Sequence, residues 1–210
     1  AFIMVLINIV TGTATAWVLV RYRFPGKQLM DALIDLPFAM PTIVAGIMLV
    51  ALYGPRSVIG SFLQGYDIEI MFNTPGIIIA LLFVTFPFVV RAVQPVLIEL
   101  DQDMEEAAKT LGASSLTIFI RIVLPSLLPS ILTGAALSFS RALGEFGSII
   151  MVAGNIPFKT QVASVYIYGE IESYNPQGAL GLSVVLLLFS FSILLLLNFI
   201  QYWNRRHENK

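Results

Sequence analysis

The 210 residues contain no cysteine and one histidine, His207. The missing cysteines exclude disulfides, thiolate metal sites and cysteine nucleophiles together. A lone histidine in a polar tail leaves no imidazole to build a catalytic constellation around. No catalytic residue and no metal ligand is therefore assigned. Charge is scarce too: 12% of residues are charged, against about 25% in a soluble domain. Twelve Lys and Arg face thirteen Asp and Glu, so no basic excess argues for a nucleic-acid partner. The phosphate-cradling run G-x-x-x-x-G-K-[ST] is absent, so this chain has no P-loop of its own.

Apolar sequence is what the chain has instead. Hydrophobic residues make up 57%, and the mean hydropathy is +0.85. So much apolar surface implies a lipid-facing, all-α integral membrane protein, read as one domain over 1–210. A helix crosses a hydrocarbon core about 30 Å thick with roughly 20 apolar residues. Five stretches reach that length: about 1–20, 31–54, 76–98, 126–152 and 179–203. Pro37, Pro41, Pro87 and Pro129 fall inside them, which membrane helices tolerate when neighbours satisfy the freed carbonyls. Small residues at Ala45-Gly46 and Thr133-Gly134-Ala135-Ala136 permit close helix approach. The chain starts at Ala1 inside an apolar run, without Met, a basic lead-in or an A-x-A site. We expect a further helix upstream, for a total of six.

Lys and Arg orient the spans. Arg21, Arg23, Lys27, Lys109, Arg121, Arg205, Arg206 and Lys210 lie on one side, and only Arg56 and Lys159 on the other. Eight against two places the first loop, the loop at about 99–125 and the polar tail 204–210 in the cytoplasm.

The third loop is rich in acids: Glu99, Asp101, Asp103, Glu105 and Glu106. Asp101 or Asp103 suits a helix N-cap, and Glu106-Ala107-Ala108-Lys109 are strong helix formers. Gly112 can take a positive φ and end that helix. Ser114 or Ser115 can cap a second one, which runs toward a prolyl stop at Leu124-Pro125. This predicts a helix–turn–helix on the membrane surface.

Two further motifs carry polar groups. Arg141-Ala142-Leu143-Gly144-Glu145-Phe146-Gly147 puts an ionisable pair inside the fourth stretch, where charge is expensive. Four residues apart on one helix face, Arg141 and Glu145 can pair. They either cancel their own cost or line a polar path or subunit contact. Arg91, in the third stretch, is expected to snorkel to the interface. Gly154-Asn155-Ile156-Pro157-Phe158-Lys159-Thr160 reads as a turn-rich outer loop.

The order E-A-A, three residues, G, nine residues, I-x-L-P over 106–125 resembles the coupling loop of ABC importer membrane subunits. R-A-L-G-E-F-G is similar to sulfate and molybdate permeases at the same place. G-N-I-P-F-K-T, the Q-V-A-S-V-Y-I-Y-G-E-I-E run after it, R-Y-R-F-P-G-K and D-x-x-x-D-L-P-F-A-M-P-T from Asp31 look like the T-type subunit of sulfate permeases. The resemblance spans nearly the whole chain. It implies import of sulfate, with thiosulfate a second candidate, and no cofactor on this chain. ATP and Mg would be bound by two partner ATPase subunits. A second homologous permease and an extracytoplasmic sulfate-binding protein would complete the assembly in membrane lipid. Glu106, Ala107, Ala108, Gly112, Leu124 and Pro125 would form the ATPase-coupling element. Thr42, Ser138, Ser140, Arg141 and Glu145 are candidates for the translocation path or helix contacts, because a divalent oxyanion in hydrocarbon needs donors or positive potential. The resemblance implies a bacterial inner membrane, with a chloroplast envelope as the alternative.

A molybdate or tungstate permease is the nearest alternative. An intramembrane enzyme would need a partner for Glu145, the one buried acid. A passive channel would have no use for the 106–125 spacing.

Overall fold

The computed structural model describes residues 1–208, and side chains other than those of Leu197, Asn198, Ile200 and everything from 201 onward. The side chains of the polar tail 204–210, with Arg205, Arg206, His207 and Lys210, thus lie outside the described residues. The described elements are helical: α1 (Phe2–Arg21), α2 (Lys27–Ala39), α3 (Thr42–Tyr53), α4 (Val58–Gln64), α5 (Thr74–Glu99), α6 (Gln102–Thr110) and α7 (Ser115–Ile118). A π-helical turn at Phe119–Val123 leads into α8 (Leu124–Leu143), followed by α9 (Gly147–Val152), α10 (Ala163–Glu172) and α11 (Pro176–Glu208).

In lipid a backbone must satisfy its own polar groups, so apolar runs of this length become helices. Four are long and apolar enough to span: Phe2–Arg21, Thr74–Glu99, Ser115–Leu143 and Pro176–Leu196. A fifth crossing is available if α2 and α3, bent by 116° at their junction, count as one. The straight span expected over 31–54 is thus corrected to two half-helices. The cause is local. A residue before proline is pushed out of the helical region, and Met40 sits at φ −115°, ψ 144° ahead of Pro41. Pro37, Pro87, Pro95 and Pro129 stay inside helices.

The fourth expected stretch, 126–152, also changes. Its helix runs from Ser115 and ends at Leu143, and Gly144 to Phe146 break it. Pro125 does not stop the helix: it lies just after the π turn, within the run from Ser115 to Leu143. The π turn absorbs the change of register, with the Leu124 N–H donating to the Phe119 carbonyl.

α5 is the centre of the bundle, flanked by α1 and α8. Gly12 of α1 lies against the Val89 side chain, and Gly134 of α8 against the Val89 backbone. The core there comprises Ala16, Leu19, Val89, Val93, Leu97, Val123, Leu127 and Ile131. Inter-helix polar contacts also run through α5: the Asn8 amide donates to the Thr85 hydroxyl (2.8 Å), and the Ser138 hydroxyl donates to the Thr85 carbonyl (3.2 Å). In the α11 span most large apolar side chains are exposed, among them Leu187, Leu188, Phe189 and Phe191. That face suits lipid or another subunit.

The loops meet in the order that alternate crossings require. Arg21 at the end of α1 pairs with Glu105 of α6, so the first and third loops share one end. At the other end the Phe72 N–H donates to the Val152 carbonyl (2.9 Å).

Candidate functional site

Two regions carry the sequence-predicted residues. The first is the helix–turn–helix at 101–125. Asp101 caps α6 by accepting from the Asp103 N–H (2.9 Å). Asp103 and Glu105 occupy the first turn and Lys109 the last, each the sign that the helix dipole favours. Gly112 has φ +85°. Its N–H donates to the Lys109 carbonyl (2.9 Å), and the Ala113 N–H to that of Ala108 (3.0 Å). Both bonds are those of a Schellman C-cap, which calls for a left-handed residue at Gly112. Ser114 caps α7 by accepting from the Thr117 N–H (3.2 Å).

The two alanines divide. Ala108 packs against the core, while Ala107 and Glu106 are exposed. Leu124 is half-buried and Pro125 exposed. Leu111 (88% exposed), Leu116 (68%) and Met104 (49%) surround them. Apolar side chains open among carboxylates make a surface suited to a protein partner rather than to a small ligand.

The second region is the break after α8. Arg141 Nη2 and Glu145 Oε2 lie 2.8 Å apart. They pair across the end of α8, not along one helix as expected, because Gly144 ends the helix first. Glu145 is 1% exposed. Its other oxygen accepts from the Ser148 N–H (2.8 Å) and hydroxyl (2.9 Å), and its carbonyl accepts from the Ser164 hydroxyl of α10 (2.9 Å). One carboxylate thus ties α8 to α9, while its main chain holds α10. Arg141 keeps 35% of its side chain exposed.

The two breaks touch: Gly147, which opens α9, lies directly against the Thr42 hydroxyl and Ile43 of α3. Thr42 thus meets the chain two residues after Glu145, at Gly147. Ser140 lies one residue before Arg141, its hydroxyl donating to the Ala136 carbonyl (2.9 Å). Ser138 is fully buried, and its hydroxyl makes a helix contact with α5.

Arg91 is paired with α2. Its guanidinium forks onto Asp35 (2.8 and 2.7 Å) and reaches Asp31 (2.8 Å). Asp31 and Asp35, four apart on one face of α2, offer a fixed pair of acceptors that a fork matches well. The D-x-x-x-D spacing in an apolar run was the signal for this clamp.

The class follows from the fold. A chain of a solved bacterial ABC transporter that imports the acidic polysaccharide alginate superposes with a TM-score of 0.71, over 96% of this chain and 79% of that one, at 16% identity. The fold is that of the transmembrane domain of an ABC importer. The model of the binding-protein-dependent transport system inner membrane components matches residues 8–209, and the chain belongs to that family. The probable sulfate transport system permease protein cysT of Nephroselmis olivacea is 48% identical over 206 residues, 98% of this chain and 72% of that one. The sulfate transport system permease protein CysT of Synechocystis is 48% identical over 204 residues, 97% of this chain and 71% of that one. The chain is a multi-pass membrane permease subunit similar to these proteins.

Proposed function

We propose that this subunit forms part of the channel of an ATP-driven importer for sulfate, with thiosulfate as a second substrate. The observation that carries the substrate is the 48% identity, across nearly the whole chain, with proteins named as sulfate permeases. A second homologous permease, two ATPase subunits holding ATP and Mg, and an extracytoplasmic sulfate-binding protein complete the machine. A bacterial inner membrane is its place, a chloroplast envelope the alternative.

The exposed apolar and acidic face around Glu106, Ala107 and Leu111 is where we place the ATPase contact. What supports this is a short capped helix with Glu106 and Ala107 exposed, at the end that the Lys and Arg count assigns to the cytoplasm. Along the path, Arg141 is the group we expect to meet the anion. Its guanidinium is accessible and its planar donors match oxyanion geometry. Ser140, next to it in sequence, and Thr42, against Gly147, are the further candidates.

Uptake of labelled sulfate by membranes holding the whole transporter tests this. Uptake should require ATP, be competed by excess thiosulfate and resist molybdate. Molybdate uptake without sulfate uptake would assign the molybdate reading instead. In the same assay Arg141→Gln should lower sulfate uptake while the complex still assembles; wild-type uptake by that variant would take Arg141 off the path.

A further inference from the structure

One polar cluster lies outside both regions above. Trp17 and Arg21 stand four residues apart in the last turns of α1, on one face. Arg21 Nη2 donates to Glu105 of α6 at 2.5 Å. Both side chains are nearly out of water, 10% and 12% exposed. The guanidinium also lies 5.5 Å from the Trp17 ring centroid. Trp17 in turn meets Phe119 edge-on, the centroids 5.4 Å apart and the rings at 90°. Phe119 opens the π turn that starts α8. One face of α1 therefore touches both arms of the helix–turn–helix, Glu105 before the Gly112 turn and Phe119 after it.

We propose that the end of α1 grips this loop as a single body, and that Arg21 and Glu105 are positioning residues which pass its displacement to the bundle. α6 has no fully buried residue of its own. Its ties to the rest of the domain are the half-buried Ala108 and the Glu105 ion pair. A partner that moves α6 thus pulls on α1 through Arg21. α1 passes the pull to α5, because Gly12 lets it sit directly on Val89. A nearly buried ion pair gains little stability over an apolar contact of the same shape, but it fixes one geometry. A rigid link in a transmission needs that property. The inference rests on the reading of 101–125 as the ATPase contact.

The test uses the complete transporter in membranes and measures sulfate imported per ATP hydrolysed. Arg21→Gln and Glu105→Gln should each lower that ratio about fivefold or more, the usual lower bound of coupling between sites. ATP hydrolysis and assembly should persist. The double variant should be no worse than either single one, since both remove the same link. A wild-type ratio in both single variants, or losses that multiply in the double variant, would overturn the proposal. If the glutamine variants fail to assemble, cysteines at both positions decide it, because this chain has none elsewhere. Joining Arg21→Cys to Glu105→Cys with a short bifunctional thiol reagent should leave transport running. Arrest on cross-linking would show that the two must separate, and would sink the idea. Glu106→Lys and Gly112→Pro report on the underlying reading. Unchanged coupled uptake in both removes the ATPase contact itself. Loss there beside normal Arg21 and Glu105 variants removes only the grip.

Discussion

Glu145→Ala should destabilise the subunit by about 3 kcal/mol, the low end of the cost of breaking a buried ion pair. The low end applies because Arg141, the surviving charge, is about one-third exposed. The loss goes beyond the ion pair. Glu145 also accepts from the Ser148 N–H and hydroxyl, and a buried donor left without a partner carries its own penalty. Both the end of α8 and the start of α9 lose their anchor. Glu145→Gln should cost less, because an amide oxygen can still accept from Ser148. Thermal denaturation of the purified transporter, followed by loss of the assembled complex, gives the ranking wild type, then glutamine, then alanine. An alanine variant as stable as wild type would show that the carboxylate does not hold the break together. The contrast with Arg141 is informative. Arg141→Gln leaves Glu145 its hydrogen bonds from the Ser148 N–H and hydroxyl, so its larger effect should fall on uptake.

Gly134→Val is the second large effect. A Cβ at Gly134 would stand 2.8 Å from the Val89 Cα and 3.1 Å from both the Ala92 Cβ and the Phe88 carbonyl oxygen. Those are mostly backbone atoms of α5, and no rotamer change moves them. α8 must retreat from the central helix and open the packing around Val89, where Gly12 of α1 approaches from its own side. Overpacking of this kind costs about 1–3 kcal/mol in soluble cores. In lipid the loss is felt more directly, because close packing is itself the force that holds helices together. The expected outcome is a sharp fall in the amount of assembled transporter extracted from membranes. Gly169→Ala in α10 is the control. A Cβ there meets nothing within 4 Å, and alanine favours the helix by about 1 kcal/mol, so assembly should hold or improve. Equal assembly of Gly134→Val and wild type would refute the contact between α5 and α8.

The legible parts of the fold were those with local causes. Runs of apolar residues long enough for a bilayer became α1, α5 and α11 nearly as expected. Asp101, Gly112 and Ser114 declared the helix–turn–helix, since each acts on backbone groups within a few residues of itself. The breaks were harder. Pro37 and Pro41 look alike in sequence, yet only Pro41 parts two helices. Pro125 read as a stop, yet the helix runs through it. Helix termination at a proline depends on whether neighbours satisfy the freed carbonyl, and that is a matter of packing. Ser138 stood as a candidate for the path or for a helix contact, and helix rotation turns it onto α5. The partners of Arg91 were not legible because its acceptors lie 56 and 60 residues earlier.

By itself, the sequence determined which segments are rich enough in apolar residues to span, which loops share one end and where the short helices are capped. Those follow from hydropathy, charge count and groups that act over one or two turns. It also carried the resemblance that names the family. Only the tertiary structure decided what faces what. It put Glu145 at the junction of three helices, brought Thr42 to Gly147, closed Arg91 between two aspartates and joined Arg21 to Glu105. Each of these rests on how helices rotate and approach one another, and close packing in three dimensions fixes that.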